Sequence, residues 1–164
     1  KDLIVPIDEV KDDYSFPFCF EKMKTLKTIF GNNGVHTAAT SSKVADGCAV
    51  ILIVSDAFVE QYNLQPIASI ETCDDVELEP KDFCIAPASC IEKSLQKTNI
   101  KKNDISIFEI NEAFAIVPIL NSKLLDIPSE KVNPGGGAIA HGHPLGASGL
   151  ILLCHLLFHL DVCL

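Results

Sequence analysis

Two histidines are separated by one glycine in His141-Gly142-His143. Imidazole titrates near neutrality and can draw a proton from a thiol or hydroxyl. Both rings lie in a stretch of seventeen residues, Asn133 to Gly149, that holds six glycines and two prolines. Glycine permits positive φ and close backbone approach, and proline fixes φ, so a shaped loop is expected rather than a regular helix or strand. The apolar run Leu150 to Leu160 follows at once and reads as a buried helix. A helix start offers unpaired N–H groups and a positive dipole end, suited to an anion or a developing oxyanion. Loop shape alone is equally met by a tight turn with incidental histidines, which is the simpler reading.

A second polar candidate is Asn111, in Asn111-Glu112-Ala113-Phe114-Ala115. It stands where an apolar run hands over to a helical pattern, and ligands of open α/β sheets bind at the carboxyl ends of strands. Its amide could hold a water or a carbonyl oxygen; taken singly, a helix N-cap explains it as well. Seven cysteines are scattered without CxxC or other zinc spacing, which fits a reducing compartment better than a disulfide framework. His155 and His159 are four residues apart, but only Leu156, Leu157 and Phe158 separate them, with no carboxylate. A helix-surface or core role is the better reading of that pair than a metal site.

The elements that must carry these groups alternate. Cys48 to Val54 is continuous, apolar and β-branched, as in a strand buried on both faces. Strands are expected at 48–54, 66–73 and 105–110. Ser55 should cap a helix over 56–62, Pro87 should open one through about Lys97, and a third should run from Asn111-Glu112 to about Leu125. Pro118 falls inside that third helix, where it should produce a kink at a cost of roughly 3 kcal/mol. A short helix at best is expected within 21–30, then a turn at 31–34, and residues 1–36 are otherwise irregular with an acidic patch at Asp8, Glu9, Asp12 and Asp13. This alternation predicts a layered α/β fold.

The 164 residues suffice for one domain, and a mean hydropathy of +0.27 implies many buried elements. A net charge of −9 argues against a nucleic-acid or anionic-membrane surface. The run after Leu150 is about half the roughly 20 residues of a membrane span. The chain begins at Lys1 without a signal or transit peptide, so its start is expected to be cut or processed. No Gly-x-Gly-x-x-Gly follows an early strand, which argues against a dinucleotide domain.

In combination the motifs are specific. Asn-Glu-Ala-Phe followed by Gly-His-Pro-Leu-Gly-Ala-Ser-Gly resembles the thiolase family of acyl-CoA acyltransferases. Thr37-Ala38-Ala39-Thr40-Ser41-Ser42 with Ala45-Asp46-Gly47 agrees. Asp82 to Pro87, and Phe20 to Phe30 with Leu26-Lys27, look most like the mitochondrial acetoacetyl-CoA branch; the resemblance runs from about Tyr14 to Leu160. It implies a layered αβαβα fold, here incomplete: residues 1–43 as the remnant of a loop domain, 44–65 as the last strand and helix of an N-terminal half, and 66–164 as a C-terminal half without its final segment. It implies interconversion of acetoacetyl-CoA and acetyl-CoA, or cleavage of longer 3-ketoacyl-CoA, by an enzyme that is homo-oligomeric when complete and mitochondrial, with cytosol or peroxisome as alternatives.

The resemblance also assigns roles. His143 matches the histidine that activates a nucleophilic cysteine and lines an oxyanion hole, and Asn111 the asparagine that positions a water there. Ser42 matches a pantetheine contact of CoA, and Lys22 the nucleotide end. K⁺ would be held through carbonyls at Ala38, Ala39, Ser41 and Ile139. Neither the segment of the nucleophilic cysteine nor the later Cys-x-Gly-Gly motif is present, and Cys163 comes too early with the wrong flanks. Ala39-Thr40 replaces the usual Gly-Asn, and Pro118 and His141 also depart from the family pattern. The chain alone is therefore expected to be inactive, the alternative function being a CoA-binding or interaction remnant.

Overall fold

A computed structural model describes residues 19–31 and 33–162, with side chains through His159. The acidic patch at Asp8 to Asp13 and Cys163 lie outside them. The chain divides into two units, 1–39 and 40–164.

In the first unit, helix α1 is short, Phe20–Lys24. Thr28 and Thr37 form an antiparallel bridge, with Ile29 N–H donating to His36 O at 2.8 Å. The Phe30 and His36 rings meet edge to face across it.

The second unit is built on α2 (Asp56–Tyr62), α3 (Ala86–Thr98), α4 (Ile116–Leu124), α5 (Ala138–His141) and α6 (Ser148–Val162). Ser55 caps α2 as its sequence predicts, accepting from Phe58 N–H at 3.2 Å. Pro87 sits in the first turn of α3. Ala88, Phe108, Ile110, Val117, Leu125 and Ile127 form the core, with Ile91 and Phe114 packed against it. Asn121, fully buried, ties α4 to the start of α3. Its oxygen accepts from Ala88 N–H at 2.7 Å, and its amide donates to Cys84 O and Val117 O at the same distance.

Several expectations are corrected. Among the described residues no continuous strand ladder forms at 48–54, 66–73 or 105–110. In this unit Ser41 bridges Phe114 antiparallel and Phe108 bridges Val132 in parallel, each as an isolated pair. A ladder needs a neighbouring strand about 4.8 Å away, and 48–54 has none among these residues. It is not buried on both faces: Val50 is 90% exposed and Leu52 84%, while Ile51 and Val54 are half-buried.

Helix α4 starts at Ile116, not at Asn111, because Ser42 N–H donates to Ala113 O and Ala115 N–H to Thr40 O, committing 113–115 to the segment 40–42. Pro118 thus falls at the third helical position, where an N–H has no intrahelical acceptor, so no backbone hydrogen bond is lost. The glycine-rich stretch contains one helical turn, α5. Helix α6 is only partly buried, with Phe158 65% exposed.

Candidate active site

The approach of Asn111 to His143 is built from the core outward. Phe108 N–H donates to Lys131 O at 2.8 Å, and Asn133 N–H to Phe108 O at 2.9 Å. Beyond that bridge the Asn133 side chain continues the pairing. Its oxygen accepts from Ile110 N–H at 2.7 Å, and its amide donates to Ile110 O at 2.8 Å and Glu112 Oε1 at 3.1 Å. Asn111 lies between these two anchored residues. Asn133 has a positive φ of 47°, which asparagine tolerates better than most residues.

Glu112 also accepts from Ile139 N–H at 3.1 Å. It therefore joins the Asn-Glu-Ala-Phe segment to α5. A Cβ at Gly137 would meet the Glu112 carboxylate, so a larger residue there would displace Glu112 from its bonds. After α5, Gly142 takes φ 91°, a conformation that favours glycine, and turns the chain between the two histidines. His143 N–H then donates to Lys43 O at 2.7 Å.

The outcome is a contact of 3.3 Å between Asn111 Nδ2 and His143 Nε2. The other ring nitrogen, Nδ1, lies 2.6 Å from Ser148 Oγ, and Ser148 Oγ lies 3.1 Å from Pro144 O. Ser42 is in the same neighbourhood: its hydroxyl donates to Ala113 O at 3.0 Å, and its successor Lys43 bonds His143. His141 turns elsewhere. Its ring packs edge to face on His155, centroids 5.3 Å apart. Burial, then the charges of His141 and His159, push His155 below the usual imidazole range.

Lys22 is exposed on α1 in the first unit. Ala38 and Ala39 also belong to that unit, whereas Ser41 and Ile139 belong to the second. Asn111 caps no helix; Ala115 occupies that position for α4. An open cavity of about 440 Å³ lies beside the loop, lined by Asp46, Gly47, Cys48, Pro144, Leu145 and Leu150 among others. It is on the Pro144 side, and neither Asn111 nor His143 lines it. Burial pushes the Cys84 thiol up, away from the reactive thiolate.

Sequence reasoning did not single out Ser148, Asn133 or Glu112. Each stands inside or beside a quoted motif. The available signal was that every polar residue of a buried loop must find a partner.

The chain belongs to the thiolase family, a family of acyltransferase-type enzymes. The family model described as "Thiolase, C-terminal domain" matches residues 64–162, and "Thiolase, N-terminal domain" matches 3–57. Its relatives include a probable acetyl-CoA acetyltransferase of Dictyostelium discoideum, 40% identical over 90% of this chain and 36% of the relative. The mitochondrial acetyl-CoA acetyltransferase of Bos taurus is 40% identical over 90% of this chain and 35% of its own length. The chain thus spans about a third of the length of the curated relatives it matches.

Among solved structures, the Bacillus anthracis acetyl-CoA acetyltransferase aligns with a TM-score of 0.86 at 35% identity, covering 92% of this chain and 39% of that one. A thiolase from Ascaris suum in complex with coenzyme A aligns at 0.79 and 31% identity, covering 94% and 42%. The fold is therefore the layered α/β fold of thiolases, present in part.

Proposed function

We propose that the chain carries the histidine and asparagine portion of an acetyl-CoA C-acetyltransferase site, which in the complete enzyme interconverts acetoacetyl-CoA and acetyl-CoA. The 3.3 Å contact of Asn111 Nδ2 with His143 Nε2 supports this most directly. An imidazole at this position draws the proton from a nucleophilic thiol, whose thiolate is the reactive form. The protonated ring and a water held by Asn111 then face the thioester oxyanion and stabilise it. Ser42 has its hydroxyl proton committed to Ala113 O, so it offers lone pairs to an amide N–H of pantetheine. Lys22 offers a cation to the nucleotide end.

The K⁺ assignment belongs to the same proposal. Hard cations take oxygen ligands, and the backbone carbonyls of Ala38, Ala39, Ser41 and Ile139 are the oxygens assigned. A mitochondrial location and a homo-oligomeric complete enzyme are carried over from the resemblance; several relatives are named as mitochondrial enzymes.

Residues 1–164 by themselves are proposed not to turn over. Among the described residues, the ring nitrogens of His143 meet Ser148 and Asn111 rather than a thiol. A second reading is a CoA-binding or interaction remnant without turnover, and the open apolar run around Val50 and Leu52 favours association with a partner.

Purified 1–164 is titrated with CoA by calorimetry and assayed for acetoacetyl-CoA loss in the presence of free CoA. CoA binding weakened by Ser42→Ala, without turnover, is the expected result. Turnover that disappears in His143→Ala would show that one of the seven cysteines serves as nucleophile. Absence of both CoA binding and turnover would remove the acyltransferase reading for this chain.

A further inference from the structure

We propose that Ser148 is a positioning residue that sets the tautomer of His143, placing the ring proton on Nδ1 and leaving Nε2 bare toward Asn111. This rests on the reading of His143 as the proton acceptor of an acyl-transfer site. Three contacts carry it: Asn111 Nδ2 to His143 Nε2 at 3.3 Å, His143 Nδ1 to Ser148 Oγ at 2.6 Å, and Ser148 Oγ to Pro144 O at 3.1 Å.

A carbonyl oxygen only accepts, so the Ser148 hydroxyl proton goes to Pro144 O. The hydrogen between Ser148 Oγ and His143 Nδ1 must then belong to the ring. A neutral imidazole carries one N–H, which leaves Nε2 as an acceptor for the Asn111 amide. Every donor in this series meets an acceptor. The opposite tautomer would turn the hydroxyl onto Nδ1, break its bond to Pro144 and require a reversed Asn111 amide. It makes one hydrogen bond fewer.

Ser148 is only 7% exposed, so water is a poor substitute for the missing bond. Its own N–H also donates to Pro144 O at 2.9 Å. The start of α6 thus holds the hydroxyl in place through the backbone.

The consequence is specific to proton transfer. When a substrate or enzyme thiol approaches, its S–H bond breaks and an N–H bond forms at Nε2. The electron pair stays on sulfur as a thiolate, and the ring becomes an imidazolium. That cation donates from Nδ1 to Ser148 and from Nε2 into the site. Removing Ser148 frees the ring to carry its proton on Nε2, where it takes up no thiol proton.

The test uses 1–164 labelled with ¹⁵N-histidine. Two-bond ¹H–¹⁵N correlations above the titration range read each ring's tautomer directly, in solution or by solid-state spectra of sedimented protein. His143→Gln identifies the His143 signals. The wild type is expected to show a protonated Nδ1 and a bare Nε2 at His143. Ser148→Ala is expected to shift the ring toward a mixture, and Ser148→Thr, which keeps the hydroxyl, to restore the wild-type pattern. A wild-type His143 protonated on Nε2, or a tautomer unmoved by Ser148→Ala, overturns the proposal. Neither readout needs turnover, so failure of the acyltransferase reading appears separately, as an absence of CoA binding with the tautomer intact.

Discussion

The side-chain amide of Asn133 bonds both backbone polar groups of Ile110, at 2.7 and 2.8 Å, and so does the work of a missing strand residue. Asn133→Ala leaves that N–H and C=O buried without partners. The expected loss is about 2–4 kcal/mol in urea unfolding. Asn133→Gly keeps the positive φ but not the amide, so it should lose nearly as much. A glycine variant as stable as the parent would show that only the backbone conformation matters here.

Asn121 makes three bonds with no exposure, to Ala88 N–H, Cys84 O and Val117 O. Asn121→Leu retains volume but orphans the first two groups, which lie on another segment. A loss of about 3 kcal/mol or more is expected. The melting temperature checks it, and a change under 1 kcal/mol would mean that water reaches these groups.

Glu109 sets a pH dependence. Its carboxylate oxygens are buried without a partner among the described residues, and burial, then the charge of Glu112, raise its pKa to about 7. A carboxyl that holds its proton more tightly when folded stabilises the protein below its unfolded pKa. That contribution falls as pH rises from about 4.5 to about 7. His155 acts in the opposite sense: its depressed folded pKa makes stability fall as pH drops below the ordinary imidazole value. Glu109→Gln should therefore gain stability relative to the parent at pH 8 and lose that advantage at pH 4.5. Melting curves at the two pH values give the comparison; a difference that does not change with pH would rule out titration of Glu109.

The run 48–54 should govern association. Val50 and Leu52 are open to solvent on a segment that has no ladder partner among the described residues, an arrangement prone to edge pairing. Leu52→Lys is expected to raise the soluble monomer fraction by light scattering while leaving helix content unchanged. An unaltered size distribution would place the association surface elsewhere.

Local punctuation made much of the helix layer readable in advance. Ser55 and Pro87 announce α2 and α3 because caps and first-turn prolines satisfy needs of the backbone itself. The start of α4 was hidden because residues 113–115 spend their backbone groups on Thr40 and Ser42, some seventy positions earlier. The run 48–54 shows apolar character but not whether a neighbour lies beside it. The proximity of Asn111 and His143 was legible as a pair of motifs. The bond from His143 back to Ser148 was not, since it depends on how the loop folds over the start of α6.

The bond between Lys43 O and His143 N–H joins positions a hundred residues apart. The core that it encloses is assembled largely from contacts between residues 84 and 132. Closing the longer loop costs more chain entropy, and only the bonds of Thr40 and Ser42 to residues 113–115 shorten it. Under mild denaturant the Lys43 to His143 closure should therefore open first, while α3 and α4 remain packed. Amide exchange at His143 would then be fast where exchange at Leu125 is slow. The last contact to form in this chain would be the one that brings its histidine into place.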